Sequence, residues 1–295
     1  MWTDPPRPIL PTLLSRLPEA LRRPRRSAWA DANRGGAAID SFLEGPCFDA
    51  AGTLFCTDIP HGRVFRVGAG GWQTVVEYEG WPNGLAPRGA ELLVADYRHG
   101  LLTLDPASGA MAPVLETALS EGFRGLNDLV LHPDGSILFT DQGQTGLQDP
   151  SGRVFRLHPD GRLDRLIGNG PSPNGLALNR AGTHLLVAMT RSCEVWRFAL
   201  RPDALVGKAN LFFRAPAGTS GPDGLAVDAQ DRLFVANPGH GQVWVVDAHG
   251  MPTHRIDCTG FGRMPTNCAL APDGRTLVIT ESESGSLLEA AIPLA

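Results

Sequence analysis

One phrase is written several times along this chain, and it limits what the chain can fold into. Gly221-Pro222-Asp223-Gly224-Leu225-Ala226 returns as Pro82-Asn83-Gly84-Leu85-Ala86 and as Pro173-Asn174-Gly175-Leu176-Ala177. Looser copies are Leu126-Asn127-Asp128-Leu129 and Pro265-Thr266-Asn267-Cys268. Glu44-Gly45-Pro46-Cys47 has the same shape with glutamate in the polar slot. The slots Glu44, Asn83, Asn127, Asn174, Asp223 and Asn267 stand 39, 44, 47, 49 and 44 residues apart. A period of that length marks a stacked or radial architecture.

Each copy is followed by a short apolar run ending in a polar residue, such as Leu54-Phe55-Cys56-Thr57-Asp58, Leu92-Leu93-Val94-Ala95-Asp96 and Ile137-Leu138-Phe139-Thr140-Asp141. Turn signals such as His132-Pro133-Asp134-Gly135 lie between the halves, so each unit opens as a hairpin. A hairpin brings the start of its first strand beside the end of its second. The slots and the strand-end residues Asp58, Asp96, Asp141, Met189, Asn237 and Glu281 therefore share one end of the fold. Third strands follow, for example Gly152 to Leu157 and Gln242 to Val246. Six such units, with no helical period inside them, specify an all-β, six-bladed β-propeller.

The propeller is expected over residues 39–295. The last unit ends after its third strand, so Ile39 to Leu43 is expected to complete the last blade and close the ring. Residues 1–38, rich in proline and arginine, stand outside the repeat as an extension in which Leu13 to Leu21 fits a short helix or a mobile tail. Two long segments, Met111 to Gly125 and Asp141 to Ser151, read as loops at the mouth, where substrate contacts gather.

Charge narrows the function. Six arginines crowd the first thirty residues, so the remainder is more acidic than the formal net charge of -5. That balance suits a cation site and disfavours a nucleic-acid groove. The five cysteines are odd in number and show no C-x-x-C pair. They read as buried apolar residues in a reducing compartment, and a cytoplasmic protein is expected. No apolar run is long enough to span a membrane. The expected partner is a small molecule, with the chain a monomer or small homo-oligomer.

First strands of propeller blades line the central channel, so the slots point toward its axis. They could bind channel water alone, and for Asn83 and Asn267 that reading is favoured. Glu44 and Asp223 are different, because two carboxylates converging with the Asn174 amide repel unless something positive sits between them. Oxygen donors without histidine or cysteine select calcium first, with magnesium, manganese or zinc as alternatives. Trp81, two residues before Asn83, and Arg124, in the entering segment, lie near the expected mouth. His61 and His240 sit in matching loops of the first and fifth units and read more readily as loop residues than as functional ones.

These residues carry a resemblance. Glu44-Gly45-Pro46 with Asp58-Ile59-Pro60, the Leu126-Asn127-Asp128 block, Ser172-Pro173-Asn174-Gly175 and Gly221-Pro222-Asp223-Gly224 are similar to motifs of the gluconolactonase/senescence marker protein (regucalcin) family of metal-dependent lactonases. The resemblance covers Ile39 to Ala290. It implies that Glu44, Asn174 and Asp223 hold a catalytic divalent ion and that Asp223 also accepts a proton. It implies that Asn127, with Asp128 beside it, meets substrate, where Trp81 and Arg124 are further expected contacts. Phe139-Thr140-Asp141-Gln142-Gly143 is closer to the bacterial lactonase branch, in which the Asp141 position also serves activity. Sugar-lactone members carry arginine where this chain has Gly125, which argues against polyhydroxylated substrates.

The expected reaction is water attack on a metal-polarised lactone carbonyl, with Asp223 or Asp141 as general base. No Gly-x-Ser-x-Gly nucleophile elbow is present. A calcium-dependent phosphotriesterase, a non-catalytic metal- or protein-binding propeller, and a site recruited to another reaction stand as alternatives.

Overall fold

The second strand of each unit is buried on both faces, as in Leu54–Asp58, Ile137–Asp141 and Leu233–Asn237. Such a strand needs a packed layer on either side, and neighbouring blades supply it. The computed structural model describes residues 5–201 and 206–293. Blade 1 pairs Leu43–Phe48, Leu54–Asp58, Arg63–Gly68 and Gly71–Glu77 in chain order, all antiparallel. Four more sheets repeat that order, and a sixth repeats its first three strands. Their first strands touch one another in sequence, and the strand beginning at Pro265 returns to the one beginning at Leu43. The ring is a six-bladed β-propeller.

Leu43 lies opposite Asp58, Pro82 opposite Asp96, Leu126 opposite Asp141, Pro173 opposite Met189 and Pro265 opposite Glu281. Slots and strand ends therefore share one end, as the hairpin reading requires. Each of these five first strands breaks register at its slot, and such a bulge re-aims a side chain. The glycine after the slot has a second reason. A Cβ on Gly45 would stand 2.2 Å from the Asn83 carbonyl oxygen, and one on Gly175 would stand 2.3 Å from that of Asp223. Only glycine lets adjacent first strands come so close to the axis. Buried threonines fasten the same contact: the Thr57, Thr140 and Thr266 hydroxyls each donate, at 2.8 Å, to the Asn83, Asn174 and Leu43 carbonyls of the next blade.

An N-terminal strand does close the ring, but it is not Ile39 to Leu43. Thr12–Arg16 pairs antiparallel with Ser286–Ala291 as the outer strand of blade 6. Arg7–Ile9 adds a fifth strand to blade 5, parallel to Pro252–Asp257. Residues assigned from sequence to an extension thus belong to two blades. The outermost strand has one face in solvent, and Thr12–Arg16 is mostly exposed, so no apolar alternation announces it. Leu17 just beyond is buried against Leu43 and Leu287, and the Trp72 indole donates to the Ser15 hydroxyl at 2.8 Å. In place of a helix over Leu13 to Leu21 there are this strand and a single turn, Glu19–Leu21. The helix of this region is Ala28–Asn33.

The entering segment of blade 3 also differs from expectation. Met111–Leu115 is the outer strand of blade 2, and Thr117–Ala118 with Glu121–Gly122 forms a small hairpin. All five cysteines are free, four of them buried, in keeping with the apolar reading. Among the described residues no helix is long and apolar enough to cross a membrane.

Candidate functional site

At the slot end of the channel lies a cavity of about 470 Å³. Glu44, Asn83, Asn127, Asn174 and Asp223 line it, so five of the six slots converge there. Asn267, the sixth, faces the other way and donates from its side-chain nitrogen to Glu44 Oε2 at 2.9 Å. The Gly45 amide donates to the same oxygen at 2.8 Å. The residue following the second strand contributes too in five of the six blades: Ile59, Tyr97, Gln142, Thr190 and Pro238 all line the cavity.

The electrostatics of the two carboxylates are unusual. Burial pushes Glu44 up to about 7, and donors from Asn267 and Gly45 only partly offset it. Asp223 is held well above the usual carboxylate range, first by burial and then by the charge of Glu44. The Asn174 side chain beside Asp223, and Arg34 across the cavity, pull the other way. Among the described residues neither carboxylate has an ion-pair partner. Two anions taken out of water and placed near each other, with Arg34 acting only from across the cavity, would neutralise unless a further positive group entered. No three His, Cys, Asp or Glu side chains cluster as ligands among the described residues. The donor set is instead two carboxylates with amides, all oxygen on the ligating side, which fits a hard divalent cation.

Other residues singled out from sequence are placed elsewhere. Asp141 is fully buried and outside the cavity lining. Its Oδ1 accepts from the Arg124 and Gly125 amides at 2.7 and 2.9 Å, and its Oδ2 accepts from Arg153 Nε at 2.5 Å. With both oxygens committed, it is not poised to take a proton from a cavity water. Asp128 lines the opposite end of the channel, among Leu85, Leu129, Leu176 and Leu225, because alternation along its strand turns it away from Asn127. Burial pushes it up to about 7. Arg124 and Trp81 also lie outside the cavity lining. Trp81 faces a neighbouring hollow with Arg25, Arg26, His61 and Arg98, and packs on Tyr97 with ring centroids 5.2 Å apart. The ring nitrogens of His61 and His240 are engaged with the Ile39 and Ala217 carbonyls.

Sequence reading missed two contributors. Tyr97 lines the cavity, and a Cβ on Gly125 would fall 2.3 Å from its ring, at φ +142°. Tyr97 thus occupies the space that a side chain at position 125 would need. Its place directly after the strand-end residue Asp96 was the available signal. The second is the helix Ala28–Asn33, which brings Trp29, Asn33 and Arg34 to the mouth. Ser27 caps it by accepting from the Ala30 amide at 3.2 Å, and Gly35-Gly36 ends it. Both are helix boundary signals visible in the sequence. Trp29 is buried against Phe42, centroids 4.7 Å apart, and against Ile59.

Comparison with known proteins agrees with this architecture. Residues 42–283 match the family described as the SMP-30/Gluconolactonase/LRE-like region. A gluconolactonase of Zymomonas mobilis is 30% identical over 207 residues, which span 63% of this chain and 56% of that protein. The lactonase drp35 of Staphylococcus epidermidis is 26% identical over 269 residues, 83% of this chain and 82% of that one. The solved structure of a gluconolactonase from Xanthomonas campestris superposes with a TM-score of 0.77 at 25% identity, covering 99% of both chains. With its six blades, slot-end cavity and matched span, the chain belongs to the SMP-30/gluconolactonase/LRE-like family.

Proposed function

We propose that this protein is a divalent-cation-dependent hydrolase that opens a lactone to a hydroxy acid. One observation carries the reading: Glu44 and Asp223 converge with the Asn174 amide on a solvent-reachable cavity, and among the described residues neither carboxylate has an ion-pair partner. The names of the relatives, gluconolactonase and lactonase, support the reaction class.

Glu44, Asn174 and Asp223 would hold the ion, calcium before magnesium, manganese or zinc. When bound there it supplies Lewis-acid polarisation of the lactone carbonyl. Asn267 and the Gly45 amide fix Glu44 from behind. Asn127 donates to Gln142 Oε1 at 2.9 Å, and Gln142 donates in turn to the Ser172 hydroxyl at 3.0 Å. That chain engages the Asn127 side-chain nitrogen and leaves its oxygen to accept from water or a substrate hydroxyl. As water adds to the carbonyl carbon, Asp223 takes its proton. The ring C–O bond then breaks, and the proton passes to the departing oxygen. Asp141 is given no part in the chemistry.

The test is chelation and readdition against simple γ- and δ-lactones, dihydrocoumarin and gluconolactone, following acid release. Hydrolysis lost with chelator and restored by one ion is the expected result. Gluconolactone should be a poor member of the panel, because Gly125 stands where sugar-lactone members carry an arginine and the Tyr97 ring fills the space beside it.

A further inference from the structure

Apart from Glu44 and Asp223, the charged side chains lining the cavity among the described residues are Arg34 and Arg191. Among those residues neither guanidinium has a hydrogen-bond or ion-pair partner. Other arginines of the N-terminal region are paired. Arg22 pairs with Asp40, Arg26 with Asp31 and Arg63 with Asp58. Arg34 is nevertheless fixed in place: its guanidinium carbon lies 4.8 Å from the centre of the Phe42 ring, and Phe42 is backed by the buried Trp29. A guanidinium stacked by one face on an aromatic ring keeps its in-plane donors free and pre-oriented. Arg191 enters from the opposite side of the mouth, on the turn Thr190–Ser192 after the second strand of blade 4. Neutral donors line the same cavity, including Thr219 and Ser220.

Arg34 attracts Asp223 across the cavity, but neither arginine forms a salt bridge with the two carboxylates. If a divalent cation occupies the carboxylates, its charge cancels theirs and the guanidinium groups are left over. We infer that Arg34 and Arg191 form an anion-recognition pair, and that the substrate is a lactone carrying a carboxylate away from the ring carbonyl. The inference rests on the lactonase reading for its ring and on the arginines for its charge. Arg34, at the end of the helix Ala28–Asn33, sets the preference by a planar two-donor contact, and Arg191 adds a charge from the more exposed rim.

The test compares γ-butyrolactone with the same ring bearing a carboxylate on the carbon next to the ring oxygen. The wild-type protein should favour the carboxylated ring in kcat/KM by about 10- to 100-fold, the range of one charge-assisted hydrogen-bonded contact. Arg34→Gln should collapse that ratio, mainly through KM. Arg34→Lys should restore only part of it, because a point charge lacks the fork. Arg191→Gln should lower it less. Arg124→Gln, outside the cavity, controls for net charge and should leave the ratio unchanged.

A second readout does not depend on turnover. Pyroglutamate, a lactam with a carboxylate, should bind both the chelated and the reloaded protein more tightly than neutral pyrrolidinone by calorimetry, and Arg34→Gln should abolish the difference. A wild-type protein indifferent to the carboxylate, or an Arg34→Gln variant that keeps the preference, overturns the inference. If neither lactone is opened, the lactonase reading fails, while the pyroglutamate titration still decides the anion site.

Discussion

Two rings of acidic residues lie at the same end of this propeller, and they have opposite fates. The outer ring is formed by the second-strand ends. Asp58 accepts from the Phe42 amide at 2.7 Å and from Arg63 Nε at 2.9 Å. Asp96 accepts from the Arg98 and His99 amides and from the Tyr78 hydroxyl. Asp141 and Glu281 are likewise satisfied, the first by Arg153 and two amides, the second by the Met264 and Ser284 amides. The inner ring holds Glu44 and Asp223; Glu44 accepts at Oε2 alone, and neither has an ion-pair partner among the described residues. Burial is common to both rings and so cannot mark function. What separates them is how far their oxygens are satisfied: the outer carboxylates, with both oxygens taken, hold the blade corners together, and Glu44 and Asp223 face the cavity.

The contrast can be broken at four points. The largest effect is expected in the outer ring. Asp141→Ala leaves the buried Arg153 with only the exposed Glu121 at 3.3 Å and the Gly122 carbonyl at 3.0 Å, and should lower unfolding stability by about 3 kcal/mol, read by denaturant titration, while the remaining folded protein still opens lactones. Loss of turnover in a fully folded Asp141→Ala would return Asp141 to the chemistry. Next is the inner ring. Asp223→Asn should reduce kcat/KM by roughly a hundred- to a thousandfold, the scale of losing one principal transition-state contact. The melting temperature of the chelated variant should hold or rise, since a buried uncompensated anion is gone. A sharp drop in that temperature would place Asp223 with the structural residues.

Between the rings stands Asn267, which touches Glu44 from outside the cavity. Asn267→Ala should weaken metal affinity about 10- to 100-fold, as for other groups that orient a ligand, with little change in fold by circular dichroism. Unaltered affinity would detach Glu44 from the ion. The smallest effect is in pH. A carboxyl whose folded value is raised, as for Glu44 at about 7 against an ordinary 4.5, favours the protonated form when folded. Its contribution is present below the ordinary value and is lost as pH rises through about 7. Chelated protein should therefore melt at progressively lower temperature between about pH 4.5 and 7, and metal should abolish that slope. Melting that is flat with pH would show that Glu44 is already compensated.

The blades, the slots and their common end were legible because they repeat: a bulge, a glycine and an inward polar residue must recur wherever a first strand reaches the axis. The outer strand Thr12–Arg16 was not legible, because an exposed edge strand needs no apolar pattern and its partner lies at the other end of the chain. Asp141 was misplaced for a similar reason. Its partner Arg153 lies directly opposite in the cross-strand register, as Arg63 lies opposite Asp58. Recognising an acidic strand end followed by arginine at the next strand's start would have assigned both to corners. Arg34 was hidden because a six-residue helix outside the repeat says nothing, in sequence, about which mouth it covers.

The most direct test of the inner ring is a metal titration of chelated wild-type and Asp223→Asn protein, with bound ion and opened lactone measured in the same samples. One ion per chain, with turnover rising in step in the wild type and neither in the variant, is the expected result. Full lactone opening by chelated wild-type protein would contradict the account.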